Sequence, residues 1–204
     1  VGEIFDYISS VLMGGMLMLN IFSANDVANE TYSVYQGDMT VQETLVTTVQ
    51  VLEGEFRNMG FGVPENEPTV LHARDTDISF LIDVDRNGAP LDTVRYFTGD
   101  STEIFQTENE HDRFVYRTVN GVSGSKVGVV TMFRLRFLTL DGEQIAAPVP
   151  ADRLAEIHEV EITLEVQSPY AMHAAGTGGA GSQNMLFSSS YWQQTRLASQ
   201  NSRR

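Results

Sequence analysis

Residues 4–24 read IFDYISSVLMGGMLMLNIFSA. As an α-helix, these roughly 20 mostly apolar residues span about 30 Å, the thickness of a bilayer's hydrocarbon core. A cleavable secretory signal carries a basic leading region and a small-residue cleavage site. Here Glu3 and Asp6 stand at the front instead, so the segment is expected to be kept in the mature protein. An apolar helix that is kept needs cover, either from lipid or from copies of itself. Asp6 and Asn20 lie near the two ends of the run and Tyr7 suits a headgroup zone, so the polar residues fit a span. The same residues leave open a competing reading, a buried core helix of a soluble domain. Gly14 and Gly15 each weaken the helix by about 1 kcal/mol relative to alanine while letting backbones approach closely. Candidate assembly residues are therefore Glu3, Ile4, Asp6, Ile8, Val11, Gly14, Gly15, Leu17 and Leu19. The first basic side chain is Arg57, so the charge rule for membrane orientation gives no direction.

Outward from this run, helical periodicity continues. Val27, Val34, Val41, Leu45, Leu52, Phe56 and Met59 recur at spacings of three, four and seven and predict one apolar face over residues 25–60. Gly37 with Asp38 is expected to kink the helix, and Thr40 followed by Glu43 has the capping-box pattern of a restart. Gly60, followed by Gly62 and Pro64, is the expected stop. Residues 1–62 thus form a helical stalk, apolar over 4–24 and amphipathic over 25–60.

Residues 63–204 form the expected β-rich head. Ile78, Phe80, Ile82 and Val84 alternate with smaller or polar partners, and residues 91–97 return as a second strand. Further strands are expected at 113–119, closed by Asn120-Gly121, and at 129–140, with Phe133, Leu135 and Phe137 on one face and Asp141-Gly142 as the turn. Residues 157–167 alternate most strictly, placing Val160, Ile162, Leu164 and Val166 inward and Glu159, Glu161, Thr163 and Glu165 outward. One wet face and one packed face indicate an antiparallel sheet, whose packed side needs the amphipathic helix as cover. The expected fold class is α+β, a long N-terminal helix packed on an antiparallel sheet. Residues 174–184, AAGTGGAGSQN, read as a glycine-rich loop, and the tail holds Tyr191 and Trp192 before a polar end.

Composition narrows the function. The 27 acidic and 13 basic residues give a net charge of −14, and Lys126 is the sole lysine. Without a basic stripe, nucleic acid is excluded as an expected partner. No cysteine is present, and His72, His111, His158 and His173 lie too far apart for a ligand spacing, so no zinc site is expected. The tip Asp83-x-Asp85-x-Asn87-Gly88 has the opening of a calcium loop, with Asp92 as the nearest substitute for a closing acid that would fall on Val94. Calcium at Asp83, Asp85, Asn87 and Asp92 stands against a plain turn, for which Asp, Asn and Gly are the ordinary formers. No cofactor is otherwise expected. The GTGGAGS stretch at 176–182 lacks the lysine of a phosphate loop, and no nucleophile motif is present, so no enzyme is expected. Glu108, Glu110 and Asp112 beside His111 read as a solvated charged loop. Arg134 and Arg136 are expected to pair with Glu159, Glu161 or Glu165 across the sheet.

An apolar leading helix, an amphipathic continuation ending LEGEFRNMGFG (52–62), the hairpin ISFLIDVDRNGAPLDTVRY (78–96), the strand EVEITLEVQS (159–168) and a closing RLASQN (196–201) together resemble minor type IV pilins and the J-type pseudopilins of type II secretion. The resemblance implies a structural subunit of a pilus-like helical filament, held by its N-terminal helices with the β heads outside. Minor or tip pilins, pseudopilins of a secretion system and single-span anchored binding proteins are the alternatives. It further implies copies of the same chain and other pilins or pseudopilins as partners, an inner-membrane stage before assembly, and an extracellular filament at the cell surface. In one respect the chain departs from the family. Members follow the leader cut with phenylalanine and carry a glutamate four positions later, where this chain has Val1 and Phe5. That glutamate's assembly role is therefore not transferred to Glu3 or Asp6.

Overall fold

The structure, a computed structural model, describes residues 2–64, 67–88, 90–107, 109–122, 124–169, 171–172, 186–187 and 190–198. Among them the fold is α+β. A single helix, α1 (Gly2–Arg57), runs about 84 Å and is followed by eleven strands. These are β1 (Val70–Arg74), β2 (Asp77–Ile82), β3 (Asp92–Thr98), β4 (Arg113–Val119), β5 (Ser125–Val130), β6 (Met132–Leu138), β7 (Gln144–Ile145), β8 (Glu159–Gln167), β9 (Ala171–Met172), β10 (Leu186–Phe187) and β11 (Ser190–Ala198). The first five make an antiparallel meander in chain order. The order β11-β8-β6-β7 makes a second antiparallel sheet, and β9 pairs with β10. The glycine-rich segment, His173 and the end of the RLASQN motif lie outside the described residues, as do the side chains of Tyr191 and Trp192.

The helix is continuous through residues 37 and 38, and the expected kink is absent. Thr40 does not restart the helix: its hydroxyl donates backward to the Gln36 carbonyl at 2.9 Å rather than capping a new segment. Gly37 is buried for a packing reason, because a Cβ there would stand 3.2 Å from the Ser168 hydroxyl oxygen. The helix ends where expected. Gly60 has φ +78°, a backbone that only glycine adopts without strain, and its N–H donates to the Leu81 carbonyl at 2.9 Å, tying the helix exit to β2.

Packing begins later than the periodicity predicts. Val27 is 60% exposed and Val34 half-buried, whereas Val41, Leu45, Val49, Leu52 and Phe56 are buried. These side chains lie against β5 of the first sheet and β8 and β11 of the second, so one helix closes both sheets into a single core. Phe56 meets Phe80 edge-on at 5.4 Å and Tyr96 at 5.5 Å, a geometry worth about 0.5–1.5 kcal/mol per pair beyond burial. Glu55 anchors the same end. It accepts the Tyr96 hydroxyl at 2.6 Å and the Arg117 Nε at 2.8 Å, joining α1 to β3 and β4. Burial, reinforced by the Glu55 charge, raises the Tyr96 pKa, which keeps the phenol protonated as a donor.

The strand expected over 129–140 is two strands in different sheets. At Thr131 both the backbone N–H and the hydroxyl donate to the Glu165 carbonyl, at 2.8 and 3.1 Å, and the chain steps from one sheet to the other. Most of the remaining patterns hold, although β2 ends at Ile82 and Val84, expected to continue its alternation, is exposed. β4 occupies the predicted residues and β8 alternates as read. Asn120 and Gly121 both take positive φ in their turn, and Gly142 does so after Asp141. Arg136 pairs with Glu161 at 3.0 Å, while Glu159 is taken by Arg196 and Arg134 stands opposite Thr163. Such exposed pairs contribute below about 1 kcal/mol each.

Helix and sheet pack tightly at Gly128, where an added Cβ would lie 2.1 Å from the Thr48 hydroxyl oxygen. Thr48 is buried, and its oxygen has no hydrogen-bond partner among the described residues. Gly128→Ala is expected to lower the unfolding free energy by about 1–3 kcal/mol through overpacking. Combining it with Thr48→Ala should recover most of that loss, a coupling that chemical denaturation of the four chains of the cycle measures.

Candidate assembly surface

Residues 2–33 of α1 project from the head, and every described side chain among them is exposed. The candidates Ile4, Ile8, Val11, Leu17 and Leu19 are between 49% and 70% exposed, with Met13, Met16, Ile21 and Phe22 open beside them. Nothing lies within 4 Å of the Cβ positions of Gly14 and Gly15, so the helix presents two flat spots in mid-run. Asp6 is exposed near one end, and the side chain of Glu3 lies outside the described residues. The helix is long and apolar enough to cross a membrane, and none of its most apolar stretch is buried within the protein.

Three polar side chains in and just beyond this segment bond back to their own helix. Asn20 donates to the Met16 carbonyl at 2.9 Å, Thr31 to Val27 at 2.8 Å and Ser33 to Asn29 at 3.0 Å. Such back-bonding is common for Ser, Thr and Asn within helices, and for Asn20, inside the apolar run, it lowers the cost of a polar group away from water. Between Asp6 and Asp26 no charged side chain interrupts the helix, a length of about 30 Å.

The second set of candidates forms a different structure. Asp83 is buried, and its carboxylate accepts the amides of Asn87 at 3.2 Å and Gly88 at 2.8 Å. Asp92 accepts the Val84 amide at 3.3 Å and the Asn120 side-chain amide at 2.7 Å. Asp85 is exposed. The oxygens of Asp83 and Asp92 hold the hairpin's own backbone and the Asn120 side chain, which is the plain-turn reading of these residues. No group of three or more His, Asp or Glu among the described residues is placed to hold a metal. The tight turn draws its stability from the buried carboxylate, as Asx-type turns do.

The loop before β4 also departs from expectation. Glu110 is exposed and Glu108 lies outside the described residues, but Asp112 is only 2% exposed rather than solvated. Its turn is pinned by the Asp112 amide to the Asn109 carbonyl at 3.1 Å, and the Asn109 side chain donates to Gln167 on β8 at 3.1 Å. Burial pushes the Asp112 carboxyl above its ordinary range. Hydrophobic patterning could not reveal this, since the residue sits in a polar run.

No family model, curated protein or solved structure matches the chain.

Two measurements check this geometry. Asp83→Ala is expected to lower stability by about 1–3 kcal/mol, the cost of leaving buried amides without an acceptor, and added calcium should not restore the unfolding midpoint. For Asp112 the folded state holds its proton more tightly than the unfolded chain, so its contribution is fully present below the ordinary carboxylate pKa of about 4 and is lost as pH rises through the raised value. Asp112→Asn should therefore raise the thermal midpoint at neutral pH, and the gain should shrink toward acid pH.

Proposed function

We propose that this protein is a structural subunit of a pilus-like helical filament, in which the exposed halves of the α1 helices pack together and the β heads lie outside. The observation that carries the reading is the division of α1 into a docked part and about 32 projecting residues whose large side chains are apolar and uncovered. Isolated helices are marginal in water, so a projecting helix of this composition requires cover. A membrane supplies it for the single chain, consistent with the span length. Neighbouring helices supply it in an assembly.

The magnitudes favour several neighbours over one. At about 25 cal/mol per Å² of apolar surface, a contact of a few hundred Å² stabilises by several kcal/mol, comparable to the 4–15 kcal/mol lost in immobilising a partner. A helix buried on all sides by multiple copies exceeds that cost where a single pair does not. Repulsion between the acidic heads is screened beyond about 8 Å at physiological salt. The resemblance of the chain to minor type IV pilins and J-type pseudopilins agrees with this arrangement.

Electron microscopy of the full-length protein should reveal fibres composed of this chain. Leu17→Glu, at a position remote from the head, should abolish them while leaving the head's unfolding midpoint unchanged. If deleting residues 2–24 leaves the chain as soluble and as solitary as the intact protein, the reading is wrong.

A further inference from the structure

The meander β1–β5 buries one face in the core and turns the other outward, and the outer face is aromatic rather than merely polar. Ile78, Phe80, Val94, Tyr96 and Val115 point into the core, so their neighbours along each strand stand on the opposite side. There the register aligns Arg74, Asp77, Phe97, Tyr116 and Lys126 in one row, one residue from each strand. The Phe97 and Tyr116 rings stack with centroids 5.4 Å apart, and Phe114 meets Tyr116 at 6.0 Å. The Arg95 guanidinium lies 4.7 Å over Phe97, and the Lys126 ammonium 3.6 Å over Phe114. All three rings are half-buried. Cross-strand pairs of this kind stabilise a sheet, but that role leaves the charges of the row unexplained. Asp77, its one acid, is held by Arg95 at 2.7 Å and His72 at 3.4 Å. The two ends, Arg74 and Lys126, are exposed and form no ion pair among the described residues. Four strand spacings separate them, about 19 Å.

We infer that this face binds an acidic polysaccharide, a linear chain of sugar rings with carboxylates on some of them, laid across the strands along the row. The inference is independent of the filament reading, since the face belongs to the head and lies away from α1. Three features choose the occupant. Sugar rings carry C–H groups that pack on aromatic side chains and hydroxyls that bond at their polar rims, and the row offers both in Phe97, Tyr116 and Asp77. Cations without partners at both ends suit an extended polymer with several separated anions, because a single small anion cannot reach both. In a chain of net charge −14, these two cations beside an aromatic strip also give an anionic polymer a reason to lie here and not elsewhere. Single-stranded nucleic acid fits less well. It carries a phosphate about every 3.4 Å, which calls for a continuous basic track, whereas the row holds two free cations and the Asp77 carboxylate, with Glu103 bonded to Tyr116 beside it. A polysaccharide with one carboxylate on every second ring carries its charge more sparsely and puts neutral rings over the aromatic strip.

The test titrates the full-length protein, dispersed in a neutral detergent, into a fluorescently labelled hyaluronan octasaccharide and follows anisotropy, with a neutral dextran oligosaccharide and a thymidine oligonucleotide as comparators. Hyaluronan should bind, and dextran should bind about ten-fold more weakly or not at all, because the end cations contribute to the first alone. Arg74→Gln and Lys126→Gln should each weaken hyaluronan binding several-fold, and together by about ten-fold or more, with the unfolding midpoint little changed. Phe97→Leu, which keeps apolar bulk and removes the ring, should also weaken it. Arg134→Gln removes an exposed cation from the second sheet and should leave binding as it was. No binding of hyaluronan, an equal loss from Arg134→Gln, or tighter binding of the oligonucleotide overturns the proposal, and none of these outcomes bears on whether fibres form.

Discussion

The docking of residues 41–56 of α1 across two sheets is the constraint on which the rest of the structure depends. The meander β1–β5 and the sheet β11-β8-β6-β7 each have one apolar face, and neither covers the other without the helix between β5 on one side and β8 and β11 on the other. Val41, Leu45, Val49, Leu52 and Phe56 supply that cover in one cluster with Phe80, Tyr96, Phe133 and Leu164. The helix is therefore part of the head's core and is also the element that leaves it. Whatever binds the projecting half acts on a rigid rod whose other end is fixed by about four turns of packed side chains.

The fixation is polar as well as apolar, and the two parts do different work. Apolar burial is non-directional and tolerates small rotations of a helix. The Glu55 node does not, because a carboxylate bonded at once to a phenol on β3 and a guanidinium on β4 has one rotational setting. Gly128 acts in the same sense by contact, since its missing side chain is the space that Thr48 occupies. Together these set which face of α1 turns outward. That setting determines the direction in which Tyr35 and Met39 point.

Much of the architecture was legible because the chemistry is local. Strict alternation from Val160 to Val166 needs no partner to be recognised, and Asn120-Gly121 and Asp141-Gly142 announce backbone conformations that few other residues adopt. The break at Thr131 left a trace that periodicity alone reads poorly: Val130 and Phe133 both point inward although three residues apart, which a single strand with a two-residue period forbids. Strands such as β1 (Val70–Arg74), with one charged and one histidine position in five, and β11, whose QQT centre is polar, carry too little pattern to stand out. Asp83 left two readings open for a different reason. Carboxylates that bind an ion and carboxylates that hold backbone amides share the same spacing, and the contacts to the Asn87 and Gly88 amides that make the turn are invisible in it. Gly37 misled likewise, since a glycine needed for close approach to Ser168 looks the same as one needed for a bend.

The apolar residues that the head leaves open between Tyr32 and Val46 were the least legible feature. At 100° per residue they centre about 110° around the helix from the covered stripe, so the two merge into one broad apolar face whose inner and outer parts periodicity does not separate. Leaving Tyr32, Tyr35, Met39 and Val46 in water forgoes the stabilisation their burial would bring. The same helix completes the core of its own head along one side and stays apolar along the adjoining side. In the proposed filament, a helix fixed in this way carries the orientation of its head to the copies packed along it, so the geometry of the assembly is set inside each subunit before any two meet.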